Sequence, residues 1–327
     1  MRLIKKTERD FVVLNLSDPQ LSGQDWRDNG WKAKLLRGTG DRLMAQCQPD
    51  LITVTGDITR GSDDEGYRFF GDWLEAYGIP WTFVFGNHDN QDGQETVSRQ
   101  ADRLMAYSHC LFEKGDPALG CGNYSLTVAE NGKPIYGLVF MDTHDMVPYR
   151  LPDGTFKRKW AYLTAEQLEW YRAEIDRLGH IPTALLMHIP FRTYETAFQA
   201  AWNPVVAPEK ADPGDRSGCW KPGFEDCFGV AYEEVSAYPQ DLGEADAIAD
   251  VGSADLVLVG HNHTNNFVVP YRGMRLAFAM KAGAGSYWDP RLNGGTVLRV
   301  SRQRRALEHL YVDPASIVGD AFLSPSC

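Results

Sequence analysis

No stretch of this chain approaches the roughly 18 consecutive apolar residues that a membrane-spanning helix requires. The segment from Met1 to Asp10 is basic and polar, not an apolar leader ahead of a small-residue cleavage site. The chain is therefore expected to be cytoplasmic, with no membrane partner. Cysteine is sparse as well. The six, at 47, 110, 121, 219, 227 and 327, make neither a CxxC zinc pattern nor a dense disulfide framework. Cys219 and Cys227 alone are close enough in sequence for a local bridge, and two ordinary buried thiols are the expectation in a reducing compartment. There is no excess of positive charge: 33 Lys and Arg face 44 Asp and Glu, a net charge of −11. That balance argues against a general electrostatic grip on nucleic acid or anionic membrane. It leaves open a small anionic substrate held by bound cations, whose charge dominates locally. No Pro/Gly/Ser linker interrupts the 327 residues, so with 43% hydrophobic content they read as one domain with a large core.

What is present is a repeating unit. Asp10 to Leu16 is a continuous apolar run of the kind a strand covered on both faces requires, and it stops at Ser17-Asp18-Pro19-Gln20. Residues 31 to 47 have helical spacing. Leu51 to Thr55 is a second strand, ended by Gly56-Asp57; a helix from about Asp64 to Tyr77 follows, then the strand Trp81 to Phe85, ended by Gly86-Asn87-His88-Asp89. Strand, polar strand end, helix, strand is the βαβ pattern of a parallel sheet, whose ligands sit at the carboxyl ends of strands. Later strands end at Asp142-Thr143-His144, at His188-Ile189-Pro190 and at Gly260-His261-Asn262-His263. A helix opens on Thr164 as its cap and closes before Gly179. Residues 274 to 313 alternate as antiparallel strands closing a second sheet. Between about 192 and 240 the texture changes, with Trp202, Trp220, Phe224, Phe228 and Tyr232 set among Pro, Gly, Asp and Glu. A segment that long inside a compact domain is expected to be a lid.

The strand ends together offer Asp18, Gln20, Asp57, Asn87, His88, His188, His261 and His263. Mixed carboxylate, amide and imidazole donors without thiolate suit borderline dications such as Mn²⁺, Fe²⁺, Zn²⁺ or Co²⁺. They are too many for one ion and suit two, the arrangement used for in-line displacement at phosphorus.

In that order, Asp18-Pro19-Gln20, Gly56-Asp57, Gly86-Asn87-His88-Asp89, His188 and Gly260-His261-Asn262-His263 resemble the calcineurin-like metallophosphoesterase superfamily, closest to its purple-acid-phosphatase-like and single-domain phosphatase branches. The resemblance implies a four-layer α/β/β/α sandwich of two mixed sheets flanked by helices, the metallo-dependent phosphatase fold. It also implies two metal ions of the Mn/Fe/Zn class that activate a hydroxide for attack on a small phosphorylated substrate. By the same resemblance Asp57 bridges the ions, Asp18 and His263 hold the first, and Asn87, His188 and His261 hold the second. His88 is then the catalytic residue that assists the leaving alkoxide, with Asp89 orienting its imidazole. Two departures stand out: Gln20 occupies a position where the family more often has histidine, and Ile58-Thr59-Arg60 after Asp57 lack the tyrosine ligand of true purple acid phosphatases. A phosphomonoesterase is the expected activity. A phosphodiesterase acting on cyclic nucleotides, glycerophosphodiesters or nucleic acid is the alternative, and a non-catalytic scaffold a third reading.

The remaining histidines carry no motif. His109, His180 and His309 read as surface or packing residues, and His144 as packing or substrate-facing.

Overall fold

The computed structural model describes residues 1–6, 8–205 and 216–320. The central strand Phe11–Leu16 is buried at every position, as are Leu51–Thr55 and Trp81–Val84 beside it. These three pair in parallel, Leu14 opposite Ile52 and Val54 opposite Phe83, with the helices Trp31–Cys47 and Asp64–Glu75 as crossovers. The second helix starts where the Asp63 side chain accepts from the Gly66 amide. Gly294–Val300 and Arg305–Tyr311 complete this five-stranded sheet on the other edge, both antiparallel.

The second sheet has seven strands, in the order Arg2–Ile4, Tyr124–Glu130, Lys133–Phe140, Thr183–Leu186, Ala254–Val259, Met274–Phe278 and Val268–Tyr271. Its side chains sort by the period of two. Leu138, Phe140, Ala184, Leu186, Leu256 and Leu258 face the first sheet, whereas Val139, Met141, Leu185, Met187, Val257 and Val259 face outward. The outward set packs on Tyr171 and Ile175 of the helix Ala165–Leu178 and on Tyr194 and Phe198 of Thr193–Ala201. Helices therefore flank two sheets, the expected four layers. Tyr124 ties the sheets together, its hydroxyl donating to the Phe83 carbonyl at 2.8 Å. Among the described residues no helix is long and apolar enough to cross a membrane.

The carboxy-terminal strands depart from the sequence expectation. They do not close one sheet but divide: Met274–Phe278 lies parallel to Ala254–Val259 in the seven-stranded sheet, and the last two strands join the five-stranded one. Alternation predicts a strand but not its partner. The segment from about 192 to 240, expected to be a lid, carries regular structure in its described part. Thr193–Ala201 is helical, Trp202–Pro204 pairs with Gly218–Trp220, and Phe198, Trp202 and Trp220 pack within 5.8 Å of one another; residues 206–215 lie outside the described set. Cys219 and Cys227 are free thiols, the first exposed and the second buried, and Cys327 is outside the described residues.

His309 is a packing residue with a measurable consequence. From the five-stranded sheet its Nε2 donates to the Asn266 carbonyl at 2.6 Å, with Phe228 against its ring, so it staples the segment behind His263 to the opposite sheet. Burial, partly offset by that carbonyl, holds the imidazole down at about 4. The unfolded chain takes up this proton near pH 6.5 and the folded one only near 4. Stability from this group is thus complete above pH 6.5 and falls as the pH drops towards 4. Denaturant titrations of wild type and His309→Gln across that window should show a shallower loss in the variant.

Candidate metal centre

The ends of Phe11–Leu16, Leu51–Thr55, Trp81–Val84, Thr183–Leu186 and Ala254–Val259 meet at one edge of the sandwich. The turns that bring them together are strained. Asp18, Gln20, Asp57 and His261 all have φ between 44° and 77°, the left-handed region that residues with a Cβ normally avoid. Two glycines provide the clearance. A Cβ on Gly86 would lie 2.2 Å from Asp57 Oδ1, and one on Gly260 would lie 2.4 Å from Ser17 Oγ and 2.8 Å from Asp18 Oδ2.

All seven expected ligands come together and all are buried: Asp18, Gln20, Asp57, Asn87, His188, His261 and His263. They form two clusters. In one, His188 Nε2 lies 3.0 Å from Asn87 Oδ1, 3.3 Å from Asp57 Oδ1 and 3.3 Å from His261 Nδ1. In the other, His263 Nε2 is 3.3 Å from Asp18 Oδ1, and the Gln20 amide donates to Asp57 Oδ2. Asp57 is common to both.

The tautomers decide what this convergence means. His188 Nδ1 donates to the Thr55 carbonyl at 2.7 Å and His263 Nδ1 to the Tyr287 carbonyl at 2.8 Å. The Nε2 atom of each neutral ring therefore presents a lone pair to carboxylate and amide oxygens that are themselves acceptors. Such a set is satisfied by a proton or a cation, and fixing the far ring nitrogen is the usual support for a metal-binding histidine. Burial disfavours the charged His188, but Asp57 and then Asp18 outweigh it and hold the imidazole up at about 9. Burial likewise opposes ionisation of Asp57, and His188 overcomes it, driving the carboxyl far below its usual range. His261, buried and next to His188, is pushed down to about 3. Two buried polar atoms here have no hydrogen-bond partner, Gln20 Oε1 and His261 Nε2. Ligand atoms of Asp18, Asp57 and His188 all lie within 4.8 Å of one another. Neutral nitrogen donors, amide oxygens and carboxylates fit borderline dications.

The other two residues singled out from sequence are placed differently. His88 is half-buried at the rim; its amide donates to Asp57 Oδ1 at 2.9 Å, and its Nδ1 lies 3.3 Å from Gln91 Oε1. Asp89 does not orient that imidazole. Its carboxylate accepts from the amides of Ile58, Thr59 and Gly86 and from the Tyr67 hydroxyl, which ties the end of one strand to the next. Burial and the nearby Asp57 push it up to about 6. A short turn places the Asp89 side chain back over its own amino-terminal glycine, so Gln91, one turn on from His88, meets the ring instead. His144 Nδ1 lies 3.4 Å from Asp142 Oδ2 and 3.4 Å from Gln94 Nε2, outside both clusters.

Residues 12–265 match the family described as calcineurin-like phosphoesterase. The chain belongs to that family. Its fold is the metallo-dependent phosphatase fold: a dimetal phosphatase from Danio rerio superposes with a TM-score of 0.58 at 13% identity, covering 92% of this chain and 96% of that one. Among curated relatives, "Probable inactive purple acid phosphatase 14" of Arabidopsis thaliana is 26% identical over 264 residues, 75% of this chain and 61% of that protein. "Probable glycerophosphodiester phosphodiesterase GpdQ" of Arcobacter nitrofigilis is 26% identical over 144 residues, 44% of this chain and 42% of that protein. The chain spans 61% to 64% of the length of the first three curated relatives it matches.

Sequence reading of this calcineurin-like phosphoesterase missed Lys281. It sits in a run of small residues, Ala282-Gly283-Ala284-Gly285, with no motif around it. Buried at 4% exposure, its ammonium donates to the carbonyls of Asp18, at 2.5 Å, and Gly285, at 2.8 Å. Burial, partly offset by Asp18 and Asp57, brings it down to about 8. Lys281→Met removes both donors and leaves two buried carbonyls unpaired, at a cost of about 1–3 kcal/mol each. Denaturant unfolding should show a loss of that order. Metal analysis should show weaker retention on the Asp18 side, because the Asp18 backbone is what the ammonium holds.

Proposed function

We propose that the chain is a metal-dependent phosphoric ester hydrolase that acts on monoesters. One observation carries the reading: Asp57 is shared by two clusters of converging lone pairs, one with Asn87, His188 and His261, the other with Asp18, Gln20 and His263. On this reading each cluster would hold one cation, and Asp57 would serve both. When bound, such a pair neutralises the oxygens of a phosphate ester and brings the ionisation of water towards neutral pH.

The chain's own groups do the rest. His88 is the one site imidazole that is half-exposed and outside the ligand clusters. Its backbone amide on Asp57 fixes its distance from the centre, and Gln91 Oε1, accepting from Nδ1, leaves Nε2 free, so that in the imidazolium form Nε2 holds the proton that the leaving alkoxide takes. Asp89 acts one step back, by holding the Gly86 and Ile58 turns that aim Asn87 and Asp57. The described end of the insertion frames the opening: Ser236 and Glu233 hydrogen-bond Asn262 and Thr264, on either side of His263. We take residues 192–240 as an insertion within a single catalytic domain.

Relatives named as phosphatases, matched over 67% to 76% of this chain, support the monoester. The diesterase reading keeps the support of relatives named as phosphodiesterases over 44% and 45% of the chain.

Turnover of p-nitrophenyl phosphate and bis(p-nitrophenyl) phosphate with Mn²⁺, Fe²⁺ or Zn²⁺ distinguishes these readings. The monoester should be the faster substrate. Asp57→Asn should lose metal and activity together, whereas His88→Ala should keep its metal while kcat falls by about 10²–10⁴. A faster diester moves the assignment to the diesterase, and no turnover with any metal moves it to a non-catalytic binder.

A further inference from the structure

We infer that a cleft beside the metal centre, walled by Lys159 and Arg192, receives a second anionic group carried by the substrate. The inference rests on the phosphoester reading above and adds to it the class of leaving group. The cleft has a volume of about 390 Å³. Two of its walls touch the loop that carries His261 and His263. The Trp160 ring packs edge-on against the His261 imidazole, with centroids 4.5 Å apart, and the Ser236 amide donates to Asn262 Oδ1 at 3.1 Å. A group bound there is therefore adjacent to the reacting phosphate and on the side of the Asn87, His188 and His261 cluster.

The charges in the cleft are not self-satisfied. Arg158 is held by Asp145 at 2.8 Å. Lys159 and Arg192 are half-buried, and neither has an acidic partner among the described residues. The one opposing carboxylate in the lining, Glu234, is exposed at the rim. In a chain with a net charge of −11, two partly desolvated cations in one cleft without an acidic partner among the described residues do little for stability. They are what recognition of an anion requires. A carboxylate or a second phosphate on the leaving group meets that requirement equally; a neutral sugar or aryl alcohol does not.

The test compares 6-phosphogluconate with glucitol 6-phosphate, two open-chain phosphate esters that differ at the far end by a carboxylate in place of a hydroxymethyl group. Wild type should have the lower KM for 6-phosphogluconate. In Lys159→Met and Arg192→Met, which keep the aliphatic bulk, the KM ratio between the two esters should shrink about tenfold. Glu234→Gln should widen it, a gain that a misfolded variant cannot imitate. The inference is overturned by a ratio that is the same in wild type and variants, or by a wild type that does not favour the carboxylate. If neither ester is hydrolysed, calorimetric binding of the same pair to the metal-loaded protein supplies the ratio. A preference that collapses in the variants then upholds the cleft while the hydrolase reading falls, and its absence overturns the cleft.

Discussion

Two carboxylates, Asp18 and Asp57, are each only 1% exposed where the ends of two sheets meet, and nearly everything local follows from keeping them ionised there. An anion withdrawn from water needs compensating charge and hydrogen bonds. The protein supplies both from several elements at once. His188 and His263 face the carboxylates, the amides of His88 and His261 donate to them, and Lys281 braces the turn that carries Asp18. A site assembled from five strand ends can be this dry only if the ends approach closely. That is why Gly86 and Gly260 stand where any side chain would strike Asp57 or Asp18. The left-handed backbone at Asp18, Gln20, Asp57 and His261 is the cost of that approach, sustained by the parallel ladders behind it.

The same edge shows how position is handed from core to chemistry. His188 is aimed by the Thr55 carbonyl, on the neighbouring sheet, so the second cluster exists only while the two sheets keep their register. Asp89 links the ends of two adjacent strands through three amides and a buried tyrosine. On the proposed assignment rigidity there is useful, because the ligands must hold their places whether or not a cation shields them from one another.

The helices and strands that carry the site were legible in the sequence because each signal was local. The apolar run ending at Leu16, the Thr164 cap and the Gly179 terminus each appear as read. The residues that converge in the two clusters could be singled out because they sit at strand ends, where the pattern switches from apolar to polar within one residue. What could not be read was partnership. The strand Met274–Phe278 has the same alternation as Gly294–Val300, yet they belong to different sheets, since alternation encodes faces and not neighbours. Asp89 follows His88 in the chain, but the side chains of adjacent helical residues diverge, so sequence proximity misassigned its carboxylate. Lys281 and Trp160 lie 263 and 101 residues from Asp18 and His261, their respective partners, and neither sits in a recognisable motif.

Gln20 is the position where this chain departs from the more common histidine, and the structure gives the substitution a physical sense. A carboxylate can only accept, so the Gln20 atom against Asp57 Oδ2 is the amide nitrogen, and the orientation of the carboxamide follows. Its oxygen is then turned to the other side, buried and without a partner, as a ligand atom lacking its ion would be. One carboxamide thus steadies the shared carboxylate and offers a donor to the first cluster. That donor is neutral, like the imidazole it replaces, so the charge of the centre is unchanged. What changes is its strength: an amide oxygen is a harder, weaker ligand than an imidazole nitrogen. On the proposed assignment the exchange leaves the Asp18 cluster with the weaker hold of the two, while His188, His261 and Asn87 keep the tighter one.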